Sequence, residues 1–232
     1  MNKDKRQHRR GGFYWNDGKP FVSVTTVLQV LDKPALRYWF GKQVYLAMVK
    51  DPTLNEKAAL SAPYQVSDKA KSRGSTIHSI VEAYKAGAKV EDVPEEFRGY
   101  NQALHLWIGD NHVEILEHER TVKHEGHRYA GTLDLLVKLN GNDKPLIVDV
   151  KTGKDIYPEA FLQLSAYAAA LYEEGVEADM AVLLLKEDGK YKFERGEPNM
   201  TAFLACKTLW EWLNLEDNKK LGYQASLFEG GI

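Results

Sequence analysis

Asp134, Asp149 and Lys151 are the residues whose types and spacing point most directly to a chemistry. They stand in Gly131-Thr132-Leu133-Asp134 and in Ile147-Val148-Asp149-Val150-Lys151, separated by a turn at Asn140-Gly141-Asn142-Asp143, so that the whole reads as one β-hairpin. Carboxylate oxygens suit hard divalent cations, and a pair of such cations can hold a phosphate and stabilise both the attacking and the leaving oxygen during phosphodiester cleavage. Residues two apart in a strand share a face. Ile147, Asp149 and Lys151 therefore point one way and Val148 and Val150 the other. An ammonium beside the carboxylate can assist the attacking water or neutralise charge developing at phosphorus. The expected chemistry is metal-dependent phosphodiester hydrolysis.

Acid-x-Lys alone is a weak signal, because Asp17-Gly18-Lys19, Asp188-Gly189-Lys190 and Asp217-Asn218-Lys219 repeat it. Those three carry Gly or Asn in the middle and read as turns or a helix end, whereas Asp149 interrupts an apolar run. A charge there is costly unless paired or metal-bound. A simple Asp149–Lys151 ion pair at a strand end accounts for these two residues equally well. Gln163 and Tyr167, four apart on the next helix, share a face and can orient a phosphate or a base edge, or simply form a hydrogen bond at the core's rim. His78 and Glu82, also four apart, flank the Ile77, Ile80, Val81 and Tyr84 stripe of an earlier helix, where they can point into a cleft or serve as ordinary boundary residues. Glu119 precedes Asp134 by one strand, and can approach the metals or pair across strands with Arg120 or the neighbours of Arg128. The other histidines form no helical His-x-x-x-His pair.

The elements that must position these groups fall into a helical front and an α/β back. Phe13 to Val22 reads as a hairpin around Asn16-Asp17-Gly18, and Ser23 as the cap of a helix starting near Val24. Pro34 suits the first turn of a helix to about Val49. Short helices are expected at Leu54 to Leu60 and Ser67 to Ser72, another from Gly74-Ser75-Thr76-Ile77-His78 to Lys85 with a stop at Gly87, and one from Pro94 to Asp110. Strands are then expected at 112–124, 127–139 and 145–151, a helix at 158–174 ending before Gly175, strands at 180–185 and 190–194, and a last amphipathic helix at 200–213.

With 232 residues, 44% hydrophobic and 28% charged, the chain is long enough to bury a full core. A formal charge of −2 gives no global attraction to nucleic acid, so any DNA-binding surface must be local. Residues 1–12 form a basic segment, with Lys3, Lys5, Arg6, Arg9 and Arg10 against Asp4, and read as a disordered tail able to touch phosphates. The single cysteine, Cys206, excludes a disulfide framework, a four-cysteine zinc site and a cysteine-ligated iron–sulfur cluster within one chain. A cytoplasmic location is expected, with no membrane span and no secretory signal.

Taken in order and spacing, Gly74-Ser75-Thr76-Ile77-His78, Gly131-Thr132-Leu133-Asp134, Asp149-Val150-Lys151 and Gln163-Leu164-Ser165-Ala166-Tyr167 resemble the PD-(D/E)XK nuclease superfamily. The likeness is to its RecB-type exonuclease branch, which includes stand-alone phage exonucleases and the mitochondrial genome maintenance exonuclease. Ser23-Val24-Thr25-Thr26-Val27-Leu28 and Leu36-Arg37-Tyr38-Trp39 are similar to the opening of the stand-alone types, so the resemblance covers about residues 21–185. It implies an α/β, restriction-endonuclease-like core: a mixed central sheet flanked by helices. Residues 13–110 would form a helical N-terminal region covering the cleft, and 111–232 the nuclease core.

The resemblance also implies that His78, Asp134 and Asp149 bind metal, with the carbonyl of Val150 completing the shell. Lys151 becomes the catalytic lysine, and Gln163 and Tyr167 support the site or contact DNA. Asp149 stands where glutamate is commoner, and no proline precedes Asp134. The implied cofactor is Mg or Mn, two ions per site, with no iron–sulfur cluster. The implied partner is DNA, single-stranded or with free ends, digested by an exonuclease in a bacterial or phage-infected cell. A structure-specific DNA endonuclease, or a DNA-binding recombination or repair subunit with a vestigial centre, are the alternatives.

Overall fold

Seven short strands, the central ones near-continuous buried apolar runs, build one mixed sheet whose two faces are both covered by helices. The computed structural model describes residues 11–85 and 93–223, with the side chains of 69–71 excepted. The basic tail and the helix stop expected at Gly87 lie largely or wholly outside the described residues. In chain order the strands are β1 (Phe13–Asn16), β2 (Lys19–Ser23), β3 (Glu114–His124), β4 (Tyr129–Lys138), β5 (Leu146–Lys151), β6 (Asp179–Leu185) and β7 (Tyr191–Gly196). The helices are α1 (Val24–Val27), α2 (Pro34–Lys50), α3 (Glu56–Lys85), α4 (Arg98–Asp110), α5 (Pro158–Glu173), α6 (Met200–Leu213) and α7 (Leu215–Lys220).

The β1–β2 hairpin turns through Asp17 and Gly18, both at positive φ (47° and 75°), as a two-residue turn matched to strand twist requires. β2 then joins the sheet by parallel pairing of Val22 and Ser23 with Tyr129 and Ala130 at the start of β4. β3 runs antiparallel to β4 from Glu114–Lys138 to His124–Tyr129 and fills one edge of it. β5 pairs with the far end of β4, Leu135 to Val137, so β2 and β5 share the other edge and leave 131–134 between them. β5 and β6 are parallel, joined by α5 as crossover, and β7 is the antiparallel edge.

One face of the sheet packs Leu133, Leu136, Ile147 and Val182 against Leu164, Tyr167 and Leu171 of α5 and Phe203 and Trp210 of α6. The other packs Leu135, Val137, Val148, Val150 and Leu183 against Ile77, Ile80 and Val81 of α3 and Tyr100, Leu104 and Trp107 of α4. Each such side chain, fully buried, contributes roughly 1.5–3 kcal/mol. Among the described residues no helix is long and apolar enough to cross a membrane.

Three local expectations are corrected. The helices read at 54–60, 67–72 and 74–85 are one helix, α3, with Pro63 inside it. Proline removes one intrahelical bond and crowds the preceding turn, but Tyr64, one residue on, packs edge-to-face on Phe40 of α2, with ring centroids 5.4 Å apart. Ser23 occupies the N-cap position of α1, yet its hydroxyl meets Thr25 Oγ1 at 2.9 Å rather than a backbone N–H. The chain also continues past Leu213 into α7. α2, in turn, buries none of its residues.

Candidate active site

β5 alternates as a regular strand: Val148 and Val150 enter the α3–α4 side, Ile147 the α5 side, and Asp149 and Lys151 follow Ile147. Asp149 is only 2% exposed. A carboxylate so enclosed costs several kcal/mol unless neutralised and hydrogen-bonded. Lys151 Nζ supplies the charge, 2.8 Å from Oδ1 and 2.6 Å from Oδ2. Gln163 Nε2 donates to the same Oδ1 at 3.1 Å and to Tyr167 Oη at 3.2 Å. The amine's hydrogen bond is directed at Oδ1, and the buried Oδ2, although within ion-pair distance, receives no directed hydrogen bond among the described residues. Its lone pairs remain available to a cation.

Tyr167 is placed by an absence. A Cβ on Gly131 would lie 2.3 Å from Tyr167 Cε1 and 3.0 Å from its Oη, so only glycine lets the ring lie against β4. Gly131 and Thr132 also fall in the stretch of β4 left free between β2 and β5, and Thr132 Oγ1 meets Tyr14 Oη at 3.1 Å.

Asp134 ends that free stretch, and its Oδ2 accepts the N–H of Val150 at 2.8 Å, a side chain tying β4 to β5 where the backbone ladder has stopped. Burial, and next the neighbouring Asp149 carboxylate, push the Asp134 carboxyl up to about 7, against the opposing pull of His78, Lys151 and the Val150 N–H. Burial opposes the charge on Lys151, but Asp149 and Asp134 outweigh it and hold the amine above its ordinary value. Lys151 is thus an ammonium, a donor and a positive charge rather than a base. Two crowded acids with one unsatisfied oxygen form a set suited to a divalent cation.

His78, from the C-terminal half of α3, reaches the same place with one nitrogen toward each of two acids. Nε2 lies 4.0 Å from Asp134 Oδ1 and Nδ1 lies 3.1 Å from Glu119 Oε1. Arg120 pairs with Glu117 and Glu174, and Arg128 approaches Glu125, so neither arginine takes Glu119. Val150 enters through its amide, and Glu82, one helical turn beyond His78, is exposed. Arg73, a turn before His78, donates to Thr152 Oγ1 at 3.4 Å and lies over the Tyr100 ring.

His118 was not among the expected residues, and the structure brings it in. The paired register of β3 and β4 runs His118–Leu135 and Arg120–Leu133, passing over Glu119 and Asp134. Glu119 sits there at φ +52°, a left-handed conformation costing roughly 1–2 kcal/mol for such a residue. On β4 the alternation slips at the same level, since Leu133 packs with α5 while Leu135 packs with α3 and α4. Adjacent strand residues ordinarily face apart. Here His118 and Glu119 both offer ligand atoms that lie, with one of His78, within 4.8 Å of each other. Burial first, then His78, keep the His118 imidazole below its ordinary value, against Glu119 and Glu82.

No family model matches the chain, and no curated protein matches it. Among solved structures it is similar to an alkaline exonuclease, LHK-Exo, from Laribacter hongkongensis, at 13% identity over 89% of this chain and 91% of that one, with a TM-score of 0.48. LHK-Exo in complex with dAMP gives 16% identity over 86% and 94%, with a TM-score of 0.36. The crystal structure of SSO0001 gives 13% identity over 86% and 78%, with a TM-score of 0.40. At these values the chemistry of the site rests on its own residues.

Proposed function

We propose that this chain is a divalent-metal-dependent nuclease, an exonuclease that hydrolyses DNA from single-stranded or frayed ends. The observation that carries this reading is the convergence of Asp134, Asp149 and Lys151, with Asp149 Oδ2 buried and lacking a directed hydrogen bond among the described residues. Asp134 and Asp149, with His78 and the Val150 carbonyl, are the groups to hold Mg or Mn, in two ions per site. Such ions supply Lewis-acid stabilisation of the phosphate and of the attacking and leaving oxygens.

The chain's own residues do the rest. Lys151 presents an ammonium to the phosphate and offsets negative charge as it grows there. Gln163 and Tyr167 fix the Asp149 carboxylate, Gln163 by donating to Oδ1 and Tyr167 by anchoring the amide on the far side. Arg73, adjoining Thr152, adds a second cation for the backbone of the substrate. α2 carries Arg37, Lys42 and Lys50, no acid, and exposed Tyr38 and Tyr45, a composition suited to stacking and tracking a single strand. The helical region over the cleft then favours a strand end. A cytoplasmic role in repair, recombination or phage replication fits this chemistry.

Circular and linear single-stranded DNA of one sequence test the reading. Digestion of the linear form with the circle intact is expected. Cutting of the circle makes the enzyme an endonuclease, and binding without cleavage of either makes the centre vestigial.

A further inference from the structure

The carboxylate pair leaves a second cluster on its flank whose features it does not explain. Among the described residues His118 Nε2 is buried and has no hydrogen-bond partner, which costs roughly 1–3 kcal/mol. Its neighbour Glu119 is held in a left-handed conformation at a cost of similar size. Two penalties on adjacent residues place two side chains on one side of the strand against His78. A His78–Glu119 ion pair alone leaves the His118 nitrogen unexplained.

We propose that His78 Nδ1, His118 and Glu119 form a cation site for a transition metal of the zinc class, beside the oxygen-rich pocket of Asp134 and Asp149. Their ligand atoms lie within 4.8 Å of one another, and the His78–Glu119 separation is 3.1 Å. Ligands about 2.0–2.2 Å from a tetrahedral ion stand about 3.3–3.6 Å apart, so small side-chain rotations close the set. Two imidazoles and one carboxylate, with a coordination position left over, suit Zn²⁺ or Co²⁺ and select against Mg²⁺. A neutral imidazole has one free lone pair, so His78 serves one cation at a time: with Nδ1 given to this site the proton sits on Nε2, facing Asp134 Oδ1 at 4.0 Å, and the aspartate pocket holds its ion through Asp134, Asp149 and the Val150 carbonyl without the imidazole. A carboxylate behind a metal-bound histidine is a recurrent support for such ligands. Glu82 and Lys85 are the remaining charged groups acting on His118, one of each sign.

The proposal rests on the preceding reading only in treating the aspartates as a separate cation site. The test is titration of the full chain with Co²⁺, followed by visible absorption, with Zn²⁺ competition by calorimetry. One equivalent of Co²⁺ is expected to give ligand-field bands that Zn²⁺ abolishes and excess Mg²⁺ does not. Asp149→Asn should keep the bands while losing nuclease turnover. His118→Ala and Glu119→Gln should each weaken Co²⁺ binding about 10–100-fold, with circular dichroism confirming folding and Glu119→Gln deciding if His118→Ala is unstable. Absence of bands in the parent chain, their survival in Glu119→Gln, or their loss in Asp149→Asn overturns the site. Failure of the nuclease reading appears instead as inactivity of the parent chain with the bands present.

Discussion

Asp149 and Glu119 are both acids on strands of one sheet, and they are held in opposite ways. Asp149 lies in an unbroken strand, almost fully enclosed, and is clamped by an ammonium and an amide from known periodic positions. Glu119 keeps half of its side chain exposed, on a strand whose pairing is passed over at that residue, and meets two imidazoles. The first acid is positioned by regular structure and the second by a break in it. Regularity gives an oxygen pocket on one face; the break gathers adjacent residues that a strand would otherwise send apart.

The contrast is tested most severely at β5. Asp149→Asn and Lys151→Ala should each cut turnover on end-labelled single-stranded DNA by on the order of 10²–10⁴-fold, with far-ultraviolet circular dichroism unchanged. Parent-like rates in both would remove these residues from the chemistry. Gly131→Ala comes next, because its Cβ collides with a ring packed in the core rather than a flexible tip. A loss of roughly 1–3 kcal/mol in urea unfolding is expected, with slower turnover as Gln163 loses its anchor; unaltered stability would mean Tyr167 does not depend on that glycine.

The aspartate pocket also has a pH signature. Asp134 binds its proton more tightly folded, up to about 7, than at its ordinary value of 3.8. Between those limits the folded chain carries more protons than the unfolded one, so this group's contribution to stability declines as pH rises through the window. Without metal, melting temperature should fall on that account from pH 5 to 8. A divalent ion competes with the proton, so the stabilisation by Mn²⁺ should grow over the same range. Differential scanning fluorimetry in chelator and in Mn²⁺ reads both, and a metal effect independent of pH would separate Asp134 from the ion. The smallest effect concerns the break itself: Glu119→Gly should be more stable than Glu119→Ala by about 1 kcal/mol, since glycine accepts the left-handed backbone freely. Equal stability would show that the conformation at 119 is not strained.

The same contrast governs what could be read before the fold was seen. Asp149, Lys151, Gln163 and Tyr167 obey two-residue and four-residue periods, and those periods alone bring them together. His118 escaped because the rule that makes Asp149 readable assigns adjacent strand residues to opposite faces. Its only local trace is the unusual pairing of His118 with Glu119 just ahead of Arg120, which propensity does not distinguish from an ordinary strand. The unity of α3 was hidden by Pro63, Gly74 and several serines, all poor helix formers, and is maintained by packing on α2 at one end and on the sheet at the other. The parallel joining of β2 to β4 had no local signal, since Val22 and Tyr129 are far apart in the chain.

That α3 is a single rod has a mechanical meaning. His78 lies about 33 Å along its axis from Glu56, at ~1.5 Å per residue, and the N-terminal end packs against a helix none of whose residues is fully buried. Tyr64, whose ring meets Phe40 of α2, and His78, poised between two acids, therefore belong to one continuous helix.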